Sequence, residues 1–66
     1  MVKAPLEREE LDLLRLLAEG LSVEAIARRL DLSDRTVRRR LRSICDTLGC
    51  TTPIQAVVWA ARRGLV

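Results

Sequence analysis

Residues 22–49 read SVEAIARRLDLSDRTVRRRLRSICDTLG, and this stretch decides the fold. Ser22 is a favoured helix N-cap, because its hydroxyl can accept one of the unpaired N–H groups of a first turn. Behind it Val23, Ile26, Ala27 and Leu30 recur at i, i+3, i+4 and i+7, one face of a helix. Asp31-Leu32 then makes a turn. Ser33 opens a second run in which Val37, Leu41, Ile44 and Leu48 fall into one narrow sector, and Gly49 stops it. The spacing predicts helices over residues 23–30 and 34–48. A short helix, a tight turn and a longer helix form a helix-turn-helix.

On the N-terminal side, Leu6, Leu13, Leu14, Leu17 and Leu21 predict a helix from about Glu7 to Glu19. Glu7, Glu9, Glu10 and Asp12 crowd its start, where the helix dipole favours negative charge, and Gly20 caps its end. On the C-terminal side, Thr52-Pro53-Ile54-Gln55 combines an N-cap, a proline at the first helical position and a capping-box glutamine. That predicts a fourth helix over 53–63, ended by Gly64. Residues 1–5 read as a flexible lead. No segment alternates with period two, so the expected fold class is all-α: one four-helix helix-turn-helix domain over residues 6–66.

Composition narrows the function. A 66-residue chain leaves no room for a catalytic cleft between subdomains. It contains no His and two cysteines, Cys45 and Cys50. That is too few ligands for an ordinary structural zinc site, and too few cysteines for a disulfide framework. There is no glycine-rich phosphate loop and no nucleophile paired with a base. The expectation is therefore a non-enzyme with no catalytic residues, no metal, no cofactor and no small-molecule ligand in this domain. The cysteines read as reduced, small apolar side chains. No apolar run nears the length of a membrane span, and no signal-peptide core is present. A soluble, cytoplasmic protein without a membrane partner is expected. Met1 fits a free-standing regulator and the C-terminal part of a longer one alike.

Charge is the informative feature. Residues 1–34 hold five basic and eight acidic side chains, whereas residues 35–66 hold seven arginines and one acid, Asp46. One strongly basic half is the electrostatic footprint of a polyanion binder. On the third helix the sector opposite the core holds Arg35, Arg38, Arg39, Arg42, Ser43 and Asp46, with Thr36 and Arg40 on the flanks. Arginines at i, i+4 repel one another, and a bound polyanion relieves that repulsion. They lie in the half of a helix-turn-helix that reaches base edges. Ser33, Arg35 and Thr36, with the free N–H groups of the helix start, suit phosphate. Single-stranded nucleic acid fits less well, because Trp59 is the one aromatic side chain available for stacking. Double-stranded DNA is the expected partner.

These residues together resemble the LuxR/GerE-type DNA-binding domain over nearly the whole chain, Leu6 to Val66. Leu14 to Ser22 is similar to the end of that family's first helix. Ile26-Ala27-Arg28-Arg29-Leu30 with Leu32-Ser33 is similar to its second helix and turn, and Arg35-Thr36-Val37-Arg38 to its Thr-Val-Lys signature. Leu48-Gly49 and Gln55-Ala56-Val57 fit the closing helix. The resemblance implies a bacterial, response-regulator-like domain that binds promoter DNA as a dimer and regulates transcription. It implies base contacts from Arg38, Arg39 and Arg42, phosphate contacts from Thr36 and Arg40, and a Glu10 that helps hold the helices together. Glu7 stands where the family has a capping Thr, so a ragged start to the first helix is expected. Val23-Glu24 stands in place of an Asn-Lys pair.

On the fourth helix, Ile54, Val57, Val58 and Ala61 are expected to face the core. Ala56, Trp59, Ala60 and Arg63 would then form an outer face that pairs with a second copy across a two-fold axis. The alternative is that Trp59 folds sideways onto the domain's own core. Two other functions stay open: a sigma-factor-like promoter-reading domain that also docks on RNA polymerase, and a small helical module whose basic helix meets an acidic protein partner.

Overall fold

The computed structural model describes residues 5–66, so the expected lead over 1–5 lies outside the described residues except for Pro5. Four helices follow in order: α1 Arg8–Ala18, α2 Val23–Leu30, α3 Asp34–Leu48 and α4 Pro53–Arg62. No strand occurs among the described residues. α1 and α3 each pack on the other three helices, while α2 and α4 sit apart. Leu13 and Leu14 of α1, Ile26 of α2, and Val37 and Ile44 of α3 are fully buried where these helices meet. No helix among the described residues is long and apolar enough to cross a membrane.

The predicted caps explain where each helix begins. Ser22 Oγ accepts the Ala25 N–H at 3.1 Å, and Ser33 Oγ accepts the Thr36 N–H at 3.1 Å. At α4, Thr52 Oγ1 accepts from Gln55 N–H, while Gln55 Oε1 accepts from the N–H groups of Thr51 and Thr52 and from the Thr51 hydroxyl. α1 does not start raggedly. Glu10 Oε1 accepts the Glu7 N–H at 2.8 Å, so a carboxylate one turn in secures the end that lacks a capping Thr.

All four helices end alike. The N–H groups of Leu21, Leu32, Cys50 and Leu65 reach back to the carbonyls of Leu16, Ala27, Cys45 and Ala60 at 2.8–3.2 Å. The residue just before each of those donors takes a left-handed conformation, as in the Schellman closure. Each donor residue then turns its side chain onto the core. Glycine occupies the left-handed position at three of these ends. Asp31 occupies it in the turn between α2 and α3, with φ of 57°. The turn of the helix-turn-helix is thus a helix closure without its usual glycine.

α4 is rotated relative to expectation. Ala56 and Ala60 are fully buried, whereas Ile54 and Val58 are 67% and 45% exposed and Ala61 is exposed. α4 lies against both α1 and α3. Two alanines one turn apart let its backbone approach them closely, which larger side chains on that face would prevent. Ala56 and Ala60 therefore cannot form an outer pairing face. Trp59 is half-buried against the core, and the Arg63 guanidinium stacks 4.4 Å from its ring centroid and donates to the Trp59 carbonyl. The indole folds onto its own domain.

Candidate nucleic-acid interface

α3 presents its predicted core sector inward: Val37, Leu41 and Ile44 are buried, joined by Cys45, with Leu48 half-buried. Fixing that sector fixes the other side. Arg35, Arg38, Arg39 and Arg42 are all exposed. Arg38, Arg39 and Arg42 border one shallow hollow of about 230 Å³. Among the described residues, no carboxylate lies within ion-pair reach of Arg35, Arg39 or Arg42. Three guanidinium groups without an ion-pair partner among the described residues thus share one solvent face along α3, the second helix of the motif.

The hydroxyls at the helix start are partly engaged. Ser33 Oγ accepts the Thr36 N–H and donates to Thr36 Oγ1 at 2.8 Å. The Thr36 hydroxyl accepts that bond, so its own proton remains for an outside acceptor. As the first two residues of the helix, Asp34 and Arg35 have N–H groups with no acceptor one turn back, and these point out of the helix end.

The two flanks of α3 differ. Arg38 reaches toward α2, where its Nη2 meets Glu24 Oε2 at 3.5 Å. Arg40 lies on the opposite flank and meets Glu9 Oε2 of α1 at 3.3 Å, in a neighbourhood that also holds Glu7, Glu10 and Asp12. The ion pair from α1 to α3 is therefore made by Glu9, while Glu10 caps its own helix. Arg40 stands apart from the hollow of the other three arginines. Reading the sequence alone found the arginine face but missed both carboxylate partners. The flank position of Arg40 on α3 is the one hint in the sequence, and it bears on the Glu9 pair alone.

On the α2 side a groove of about 560 Å³ runs between Val23, Arg38, Arg42, Cys45, Asp46 and Cys50. Both cysteines are free thiols. The Cys45 thiol is pushed up to about 11 by burial, by the adjoining Cys50 thiol and by the Asp46 charge, so it stays protonated near neutral pH.

The sequence profile of the luxR family of bacterial regulatory proteins (GerE) matches residues 4–60. The chain belongs to the luxR family of bacterial regulatory proteins. This is a family of regulators and not a class of enzymes. The chain is 39% identical over 92% of its length to the transcriptional regulatory protein YdfI of Bacillus subtilis, of which it spans 29%. It is 47% identical over 83% of its length to a Mycobacterium bovis protein named as an HTH-type transcriptional regulator, of which it spans 6%. The chain thus covers a small part of the relatives it matches. Among solved structures, that of the transcription factor GerE superposes with a TM-score of 0.88 at 27% identity, covering 96% of this chain and 94% of that one. The response regulator ChrA, from a heme-sensing two-component system, superposes with a TM-score of 0.85 at 29% identity, covering 100% of this chain and 33% of that one. The all-α, four-helix helix-turn-helix fold read from the sequence is the fold of this family.

Proposed function

We propose that this domain binds duplex promoter DNA sequence-specifically, with α3 in the major groove and two copies paired through α4. The observation that carries the reading is the exposed face of Arg38, Arg39 and Arg42 on the second helix of a helix-turn-helix. A major groove admits an α-helix, and a guanidinium donates two parallel hydrogen bonds to guanine O6 and N7. Arg39 and Arg42 point outward unpaired, and Arg38 stands beside them.

Phosphate contacts fix the register. Arg35, the Thr36 hydroxyl and the N–H groups behind Ser33 gather at the α3 N-terminus, where partial positive charge favours an anion. Arg40 reaches a phosphate only by leaving Glu9, so its contact is weaker than those of its neighbours. The pairing face is Ile54, Val58 and Ala61, spaced i, i+4 and i+7 on the solvent side of α4. A symmetric pair then reads two half-sites about one helical turn apart.

An NMR titration of the labelled domain with a short GC-containing duplex at two salt concentrations tests this reading. Shifts concentrated on residues 33–43 that weaken steeply with salt are expected, because each neutralised phosphate releases counterions. No shifts at low salt would overturn it and leave the basic helix as a surface for an acidic protein.

A further inference from the structure

We infer that Glu24 is a specificity-determining residue: its carboxylate holds Arg38 away from the DNA phosphates and directs that guanidinium to a base edge. The inference rests on the DNA reading above. Glu24 sits in the first turn of α2, fourteen residues before Arg38, and the pair bridges the two helices of the motif. Both side chains are more than half exposed, at 55% and 62%. An ion pair that wet contributes little to stability, so the fold does not account for it. Its place does: among the described residues Glu24 is the one carboxylate in ion-pair contact with the cluster that borders the reading hollow, and it engages the member that reaches toward α2.

The chemistry follows from what each acceptor offers. The Glu24 carboxylate sits 3.5 Å from Arg38 Nη2, so a phosphate drawn to Arg38 is repelled by that charge and contact independent of sequence is disfavoured. A guanine edge carries two neutral acceptors and little net charge, so the carboxylate does not repel it. Glu24 engages only Nη2 at 3.5 Å, and the remaining donors of the planar guanidinium stay available for O6 and N7. A side chain already held in place also loses less rotamer freedom on binding. Arg39 and Arg42 have no such partner among the described residues, so they remain free to take phosphate or base.

The test compares the parent with Glu24→Gln, Arg38→Gln and the double variant. Affinity for a mixed-sequence 20-base-pair duplex is measured across a salt series, and preferred sites are selected from a randomised duplex pool. Glu24→Gln is expected to steepen the log–log salt slope by about 0.9, one added phosphate contact, which is about eightfold tighter binding at 0.1 M salt than extrapolation from 1 M gives for the parent. The selected sites are expected to lose guanine preference at the position that Arg38→Gln also relaxes. In the Arg38→Gln background, Glu24→Gln is expected to leave the slope unchanged, because the cation it would release is gone. An equal effect with and without Arg38 overturns the proposal, since it reports the general charge of the face alone. A parent that binds and selects sites while Glu24→Gln matches it in slope and preference overturns the proposal and leaves the DNA reading standing. A parent that binds no duplex overturns both.

Discussion

Replacing Val58 by Gln separates the two faces of α4. Ile54 and Val58 are 67% and 45% exposed in the single chain. Fully burying such a side chain is worth about 1.5–3 kcal/mol, so the part still exposed on these two offers about 3–7 kcal/mol across two copies. Association itself costs about 4–15 kcal/mol. The cost matches or exceeds the gain, so the isolated domain is expected to be a monomer at micromolar concentration. Two copies held on neighbouring half-sites have already lost most of that freedom, so pairing is expected on DNA as cooperativity. Val58→Gln removes about 1.4–2.7 kcal/mol of that burial from the pair, or about ten- to a hundredfold in cooperativity. Glutamine is a good helix former and carries no charge, so α4 and the phosphate attraction are retained.

The assay is fluorescence anisotropy on duplexes with one and with two selected half-sites, supported by sedimentation of the free chain. Val58→Gln is expected to bind one half-site like the parent and to lose cooperativity on two. Ala60→Gln provides the contrast. Ala60 is fully buried, so a polar side chain there overpacks the core and is expected to unfold the domain. Unchanged cooperativity in Val58→Gln would refute the outer face as the pairing surface. A folded Ala60→Gln protein that had lost only its cooperativity would return the interface to the small-residue face.

Four further outcomes follow from the local geometry. Asp31→Gly is expected to stabilise the domain by about 0.5–1 kcal/mol in thermal unfolding, because Asp31 holds a left-handed φ of 57° and places a negative charge at the α2 C-terminus. Thr52→Ala is expected to cost about 1 kcal/mol in denaturant titration, since the hydroxyl caps Gln55 N–H and opens the box that starts α4. Cys45 is expected to resist iodoacetamide at pH 8, as followed by mass spectrometry, because burial holds its thiol at about 11. The same shift has a consequence for stability. A thiol whose pKa is raised on folding stabilises the native state fully below its ordinary value of 9.0, and that contribution is lost as pH rises toward 11. Unfolding of the parent, but not of Cys45→Ala, is therefore expected to become easier across that alkaline window.

Helix boundaries were legible because they rest on chemistry local to a few residues. Ser22, Ser33, Thr52 and Gln55 cap the helices their positions predict, and α2 and α3 span the predicted residues. The rotation of α3 was legible for a related reason. Its apolar residues are confined to one sector and its charged residues to the other, so one orientation is strongly preferred. α4 offers no such contrast. Ile54, Ala56, Val57, Val58, Trp59, Ala60 and Ala61 put apolar atoms on nearly every side, so the sequence alone does not separate the expected core face of Ile54, Val57, Val58 and Ala61 from the face that is buried. The helix was decided instead by how closely it must approach α1 and α3, a distance that exists only once three helices are assembled. Paired alanines permit close approach, and the partner that Ala56 and Ala60 approach lies within the same chain.

The carboxylate partners were hidden for a different reason. Glu24 to Arg38 spans 14 residues and Glu9 to Arg40 spans 31, and no periodicity within one helix links them. Both pairs are exposed, so neither was needed to satisfy the core, and stability arguments could not have pointed to them. Their effect is electrostatic and falls on the site. They engage the arginines on the two flanks of α3 and leave Arg39 and Arg42 in the centre unpaired. A face of five arginines on this helix thus becomes a narrower one before any ligand arrives. If Arg39 lies at the centre of that face, Arg39→Ala should relax base preference while the fold persists, and Arg40→Ala should change affinity little. Equal loss of affinity for every duplex in Arg39→Ala would mean that the central arginine senses phosphate, and the base-reading role would then fall to the flank that Glu24 controls.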